Sequence, residues 1–161
     1  GQGSRFHFTV LLGIGSEADI EEEPDHVQDG EEQALLPSMR ILLAEDNELN
    51  QEIALGVLEG MGLTATVANN GAEAVELWEK QEFDLILMDI QMPVMDGLTA
   101  AERIRNSGKA GAKSVPSIAM TANAMRGDKE KSLEAGMNAH ITKPLDMAEL
   151  RATLERWAVS N

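Results

Sequence analysis

The sequence contains no cysteine, which excludes disulfide bonds, thiolate metal ligands and a cysteine nucleophile. Aromatic residues make up only 3% of the chain, so the core has to rest on aliphatic and methionine side chains. No apolar run approaches the roughly 18 residues that a membrane helix needs, and the first residues lack the pattern of a signal peptide. Basic residues are also few, 13 against 28 acidic ones, which argues against nucleic-acid binding. We therefore expect an acidic, cytoplasmic globular protein that makes no membrane contact through this segment.

The acidity is concentrated in one segment. Residues 17–32 hold nine of the 28 acidic residues, and no Lys or Arg occurs between Arg5 and Arg40. Such a run repels itself and offers no apolar face, which predicts a solvated linker over residues 14–38; a cation-binding tail is the alternative. The rest of the chain is long enough for one domain, which we place at residues 39–161.

Upstream of the linker, the segment RFHFTVLL alternates apolar and polar residues with the period of two that is typical of a strand with one buried face. Together with the preceding GQGS, it resembles the last glycine-rich turn and the closing strand of a histidine-kinase ATP-binding domain. The resemblance implies that residues 1–13 are a terminal remnant of such a domain. A dozen residues are too few to bind ATP, so we expect that this segment is not itself a kinase.

From residue 40 onward, short apolar runs alternate with segments of helical periodicity. Five strands alternating with five helices predict an α/β fold with a doubly wound parallel sheet. In the common order 2-1-3-4-5, the first and third strands are neighbours, and ligands bind beyond the carboxyl ends of the strands. The predicted strands are RILLA at 40–44, TATVA at 64–68, DLILM at 84–88, PSIAM at 116–120 and AHIT at 139–142.

Acidic residues follow two of these strands at the point where each one ends. Glu45 and Asp46 come directly after the first strand, and Asp89 comes directly after the third. Three carboxylates held together repel one another unless a proton or a cation intervenes, and a hard divalent ion such as Mg²⁺ suits oxygen ligands. The alternative is that Asp46 or Asn47 only caps the following helix while Glu45 faces solvent.

Two further strand ends add a hydroxyl and a positive charge to the same edge of the sheet. Thr121 follows the fourth strand and Lys143 follows the fifth. An anion bound at Asp89 would then meet a metal ion on one side, a hydroxyl on another and an ammonium group opposite. Taken singly, Thr121 is typical of a turn and Lys143 of a surface charge, but their joint placement favours a binding site for an anion.

The motifs LLAEDNELNQ, DLILMDIQMPVMDG, SIAMTANA and ITKPL, in this order and spacing, resemble the phosphoacceptor receiver domain of two-component signalling. The resemblance covers residues 39 to about 158 and implies the flavodoxin-like receiver fold. It implies that Asp89 is phosphorylated and that Thr121 and Lys143 bind the phosphoryl oxygens. It also implies a set of magnesium ligands, with Glu45 contacting the ion indirectly through water. That set comprises Asp46, Asp89 and the backbone carbonyl of Gln91.

The phrases DNELNQEIALGVLEGMG and MRGDKEKSLEAGMNAHITKPL look most like receivers fused to hybrid sensor histidine kinases. This resemblance implies a phosphorelay in which the domain accepts phosphoryl from a phosphohistidine and passes it on or hydrolyses it. The implied partners are a histidine kinase domain and a histidine phosphotransfer domain. Two alternatives are a magnesium-dependent phosphohydrolase with Asp89 as nucleophile, and a pseudo-receiver that only binds partners. The complete set of site residues weighs against the pseudo-receiver.

Two positions near Lys143 carry expectations of their own. Most receivers have an aromatic residue three positions before the lysine that corresponds to Lys143, and this chain has His140 there. We expect a buried, neutral His140 rather than a pH sensor. The resemblance also implies a cis peptide bond before Pro144.

Overall fold

The computed structural model describes residues 36–123 and 126–158. The predicted terminal strand and almost all of the predicted acidic linker lie outside these residues. The described residues form an alternating series of five strands and five helices, as predicted. In chain order they are β1 (Arg40–Ala44), α1 (Glu48–Gly60), β2 (Thr64–Ala68), α2 (Gly71–Lys80), β3 (Leu85–Asp89), α3 (Gly97–Asn106), β4 (Ser117–Thr121), α4 (Arg126–Glu134), β5 (Ala139–Thr142) and α5 (Met147–Ala158).

The strands form one parallel sheet in the order β2-β1-β3-β4-β5, which confirms the predicted topology. Ala44 at the end of β1 pairs with Met88 of β3, and Asp89 pairs with Met120 of β4. Strand order therefore reverses between β1 and β3, and the residues that leave these two strands lie next to each other.

Alternate residues of the central strands pack on opposite faces of the sheet, as the period of a strand requires. On one face, Leu42 and Ile86 pack against Trp78 of α2 and Ile104 of α3. The other face lies under α1 and α5, and its buried side chains include Leu43, Leu87, Leu58 and Leu154. Because both faces are covered, the central strands are apolar throughout and their only polar groups come at their ends.

Two strand boundaries differ by one residue from the prediction. Strand β3 begins at Leu85 rather than Asp84, because the Asp84 carboxylate accepts hydrogen bonds from the backbone and guanidinium of Arg40. Strand β4 begins at Ser117 rather than Pro116, which has no N–H to donate to a ladder. The shifts bring Asp89 and Thr121 into their strands as last residues.

The helix ends follow the sequence signals. Asn47 caps α1 by accepting from the N–H of Asn50, and Asp146 accepts from the N–H of Glu149 at the start of α5. Gly62 and Gly136 follow α1 and α4 with φ of 75° and 88°, a conformation that favours glycine. Among the described residues, no helix combines the length and the apolarity needed to cross a membrane.

Candidate active site at the carboxyl edge of the sheet

Three carboxylates converge where β1 and β3 end. One oxygen atom from each of Glu45, Asp46 and Asp89 lies within 4.8 Å of the other two. Glu45 and Asp89 are only 1% and 4% exposed, whereas Asp46 is exposed. The predicted convergence is therefore present. The alternative that left Glu45 facing solvent is wrong, although Asn47 does cap α1 as that alternative held.

Lys143 joins two of these carboxylates. Its ammonium nitrogen lies 2.8 Å from Asp89 Oδ2 and 2.5 Å from Glu45 Oε2. The backbone places it there, because Lys143 N–H donates to Thr121 O at 2.8 Å and so continues the pairing of β5 with β4. The Lys143–Pro144 peptide bond is cis, as the resemblance implied.

Burial and the neighbouring charges shift the pKa values of Asp89 and Lys143 in opposite directions. Burial raises the pKa of Asp89 above its ordinary value, although hydrogen bonds from Lys143 and from the N–H of Gln91 oppose the shift. Burial also disfavours the charged form of Lys143, but its hydrogen bonds to Asp89 and Glu45 prevail and raise its pKa. Lys143 therefore stays protonated at neutral pH, and Asp89 is a partly desolvated carboxylate held beside a fixed cation.

Thr121 ends the strand next to Asp89, and Gln91 contacts the Asp89 carboxylate. Thr121 is 7% exposed and follows Met120, the residue that pairs with Asp89 across the sheet. Its hydroxyl donates to Asn123 O at 2.9 Å and accepts from Asn123 N–H at 3.1 Å. The N–H of Gln91 donates to Asp89 Oδ1 at 3.0 Å, and metal ligation by the Gln91 carbonyl stays a prediction.

Sequence reasoning missed the donors that hold Glu45. Its Oε1 atom accepts from the N–H of Asn47 at 3.2 Å and from the side-chain amide of Asn50 at 3.1 Å. The Gln51 amide donates to the backbone carbonyl of Glu45 at 2.6 Å and to Asn69 Oδ1 at 3.0 Å. The signal was a pair of amide side chains in the first turn of a helix that follows a buried acid. Polar side chains in a first turn are usually interpreted as solvent-facing.

Other candidate residues near the rim have structural positions. Met88 and Met92 are buried and Met95 packs against the same core, so these methionines fill space as expected. His140 is half-buried rather than buried, because it lines an open cleft beside Trp157. The expectation of a buried His140 was therefore wrong, and the expectation that it is not a pH sensor stays a prediction.

The arrangement can hold two kinds of charge side by side. Three oxygen-only acidic side chains suit a hard divalent cation, because their mutual repulsion is relieved when the ion binds. Lys143 and the Thr121 hydroxyl offer positive charge and a hydrogen-bond donor to an anion on the Asp89 side. A buried carboxylate in this setting can act as a nucleophile toward an anionic electrophile.

Comparison with known proteins identifies the family. The response regulator receiver domain family matches residues 41–155, and the chain belongs to this family. The chain is 37% identical over 160 residues to hybrid signal transduction histidine kinase K of Dictyostelium discoideum, covering 95% of this chain and 13% of that protein. The chain thus spans a small part of this curated relative.

Two solved structures show the same fold. The receiver domain of sensor histidine kinase PA1611 from Pseudomonas aeruginosa, crystallised with a magnesium ion in its active-site cleft, is 42% identical with a TM-score of 0.70. The match covers 76% of this chain and 99% of that one. The Ssk1 receiver domain of Saccharomyces cerevisiae, crystallised with the histidine phosphotransfer protein Ypd1, is 35% identical with a TM-score of 0.71, covering 77% and 91%. The protein is thus a receiver domain of two-component phosphorelay signalling.

Proposed function

We propose that Asp89 accepts a phosphoryl group from a phosphohistidine. One observation supports this assignment above the others: Asp89 is the buried acid at the end of a central strand that contacts Lys143 at 2.8 Å and also lies beside Glu45 and Asp46. In the reaction an oxygen of the Asp89 carboxylate bonds to phosphorus while the bond from phosphorus to the histidine nitrogen breaks. The electron pair of that bond stays on the imidazole.

The charged groups around Asp89 set the conditions for this step. A carboxylate and a phosphoryl group repel each other, so the approach requires positive charge close to both. Lys143 supplies an ammonium group that can move from the carboxylate to a phosphoryl oxygen. The Thr121 hydroxyl can leave Asn123 and donate to another phosphoryl oxygen, which would shift the loop after β4 and bias the face formed by α4, β5 and α5.

The acidic cluster fits Mg²⁺. We propose that Asp46, Asp89 and the Gln91 carbonyl bind the ion and that Glu45 contacts it through water. The donors are all oxygen atoms, and Asp46 is exposed enough to meet a hydrated ion. Bound Mg²⁺ supplies charge neutralisation to the phosphoryl oxygens.

We further propose that the domain, at residues 39–161, belongs to a hybrid sensor histidine kinase. Similarity to histidine kinase K over nearly the whole chain supports this proposal. The phosphodonor would then be a histidine kinase domain and the recipient a histidine phosphotransfer domain. A cytoplasmic location follows, because histidine phosphorylation draws on ATP.

The test is to incubate the chain with Mg²⁺ and a small-molecule phosphodonor such as acetyl phosphate and to measure its intact mass. We expect one added phosphoryl group, stable in acid and labile in base, as an acyl phosphate is. Asp89→Asn should abolish labelling. Asp84→Asn is the matched control, because Asp84 precedes the opposite end of β3 and should leave labelling unchanged.

The other outcomes separate the alternatives. Rapid turnover of diverse phosphoesters without stable labelling would support the phosphohydrolase. No labelling of the folded wild-type chain would support the pseudo-receiver. Equal labelling of the wild type and Asp89→Asn would show that the acceptor assignment is wrong. Lys143→Ala should slow labelling and weaken the coupling between phosphorylation of Asp89 and movement of the loop that follows Thr121.

A further inference from the structure

Lys143 is shared between two buried carboxylates, and its position depends on both. The side chains of Glu45 and Asp89 are 2% and 6% exposed, and each contacts the ammonium group through one oxygen. If the Glu45 carboxylate turned, Lys143 would keep only Asp89 as a partner. The orientation of Glu45 therefore controls where the one cation beside Asp89 in the described structure lies at rest.

The Glu45 carboxylate is fixed by what contacts its other oxygen. While Oε2 pairs with Lys143, Oε1 accepts from the N–H of Asn47 and the side-chain amide of Asn50. The N–H of Asn47 belongs to the backbone, so its direction is set by the path of the chain and not by a side chain. The Asn50 amide is the side-chain donor that holds Oε1 away from Lys143.

Asn50 is itself held in place. It lies in the first turn of α1, and its N–H donates to the cap side chain of Asn47 at 3.1 Å. Asparagine is a poor helix former, so the helix gains little from having it in the first turn. Half-buried between the cap and Glu45, its amide lines a small cleft together with Lys143.

We infer that Asn50 is a positioning residue for the phosphoryl site. Through Glu45, its amide holds Lys143 between the two carboxylates, and it would keep Glu45 where its carboxylate can contact the water shell of a bound metal ion. The hydrogen bonds alone support the positioning of Lys143 by Asn50. The effect of that positioning on phosphoryl transfer rests on the proposed function. Hydrogen-bond partners of direct metal ligands commonly change metal affinity by about 10- to 100-fold, and Asn50 acts one step farther out, so we expect an effect at the lower end of that range.

The first experiment measures Lys143 without metal or phosphodonor. An ammonium group bonded to two buried carboxylates exchanges slowly with water, so the ¹H–¹⁵N signal of Lys143 Nζ should be visible in the wild-type chain at low temperature. Asn50→Ala should broaden or remove the signal. Asn70→Ala is the matched control, because Asn70 caps α2 and its loss should leave the signal in place. An unchanged signal in Asn50→Ala would overturn the inference.

The second experiment is a double-mutant cycle on Mg²⁺ affinity, measured by calorimetry. Asn50→Ala should weaken binding about tenfold in the wild-type background. In the Glu45→Ala background the same change should have less than a twofold effect, because Asn50 then has no carboxylate to orient. Equal effects in both backgrounds would mean that Asn50→Ala only loosens α1, and would also overturn the inference.

The two experiments separate the inference from the proposed function. If the wild type binds no Mg²⁺ and takes no phosphoryl group, the proposed function fails, while the Lys143 signal still decides the role of Asn50. If Glu45→Ala does not fold, the comparison of Asn50→Ala with Asn70→Ala on that signal decides it alone. Thermal unfolding of all variants shows whether each is folded at the temperature of measurement.

Discussion

Gly97, the first residue of α3, packs directly against the backbone of Asp89. A Cβ atom on Gly97 would lie 2.9 Å from the carbonyl carbon of Asp89 and 2.9 Å from Met88 Cγ, and still closer to the Asp89 carbonyl oxygen. Its N–H also donates to Ile90 O at 3.0 Å. Only a residue without a side chain fits there, so the start of α3 and the position of Asp89 are fixed together.

Gly97→Ala should therefore destabilise the domain by about 1–3 kcal/mol, because backbone rather than a flexible side chain has to move. It should also weaken phosphoryl uptake by displacing Asp89. The control is Gly56→Ala in α1, where an added Cβ meets nothing within 4 Å and should stabilise by about 0.5–1 kcal/mol. Denaturant unfolding measures both. A Gly97→Ala variant as stable as the wild type would contradict the close packing.

The raised pKa of Asp89 predicts how stability depends on pH in the absence of metal. A carboxyl whose pKa is higher in the folded state binds its proton more tightly there, so its contribution to stability falls as pH rises above about 4. Asp89→Asn removes this loss. The variant should therefore gain stability relative to the wild type between acid and neutral pH, as measured by denaturant unfolding across that range in EDTA.

Asp84 provides a control for which the change of stability with pH should have the opposite sign. Its hydrogen bonds with Arg40 lower the pKa of Asp84, so this carboxylate contributes stability above its ordinary pKa of about 4 and loses the contribution as pH falls further. Asp84→Asn should be less stable than the wild type at neutral pH, and the difference should disappear in acid. If Asp89→Asn and Asp84→Asn change the stability at neutral pH in the same direction, burial is not the dominant influence on the pKa of Asp89.

Mg²⁺ affinity should depend on Asp46. We expect weak binding, on the order of millimolar, because the ion keeps several waters until a phosphoryl group arrives. Asp46→Ala should remove binding in a calorimetric titration, since it deletes the exposed carboxylate of the cluster. Glu52→Ala removes an exposed acid farther along α1 and should change the affinity less than twofold. Equal affinity in wild type and Asp46→Ala would place the ion elsewhere.

The sequence predicted the strands and the acids at their ends, because the pattern of apolar runs is local and the central strands are buried on both faces. The strand order was taken from the common doubly wound topology, and the structure confirms it. Asp89 was recognisable because it ends an apolar strand next to the one that Glu45 and Asp46 follow, and because the motifs around it resemble a receiver domain. The burial of Glu45 was not derivable in the same way. It depends on Asn50 and Lys143, which reach Glu45 from α1 and from the loop after β5.

Side-chain anchors far from the site were also beyond sequence reasoning. Arg105 of α3 donates to the carbonyls of Ala112 and Gly136 and to Asn138 Oδ1, and so joins two loops at the amino-terminal edge of the sheet. An arginine in the last turn of an amphipathic helix is usually assigned to solvent. Its real partners are backbone groups of loops, whose positions follow only from the completed fold.

Apolar side chains beside the rim predict where a phosphohistidine partner contacts the domain. If Asp89 is the acceptor, as proposed, its burial requires the donor histidine to enter at the carboxyl edge of the sheet and the partner to cover the adjoining surface. Ile53 of α1 is 43% exposed and lines the same cleft as Lys143 and Pro144. Ile53→Glu should slow phosphoryl transfer from phosphorylated Ypd1, used as the probe, by about tenfold or more, because it places a charge in a desolvated contact.

Two comparisons test whether contact with the partner protein is what Ile53→Glu disturbs. Ile53→Glu should leave labelling by acetyl phosphate unchanged, since a small donor needs no protein contact. Leu133→Glu adds the same charge at a comparably exposed apolar position, 50% against 43%, in the last turn of α4, away from the rim, and should leave both reactions unchanged. Transfer rates would be followed by loss of label from the probe. If Leu133→Glu slows transfer as much as Ile53→Glu does, added negative charge rather than contact at the rim is responsible.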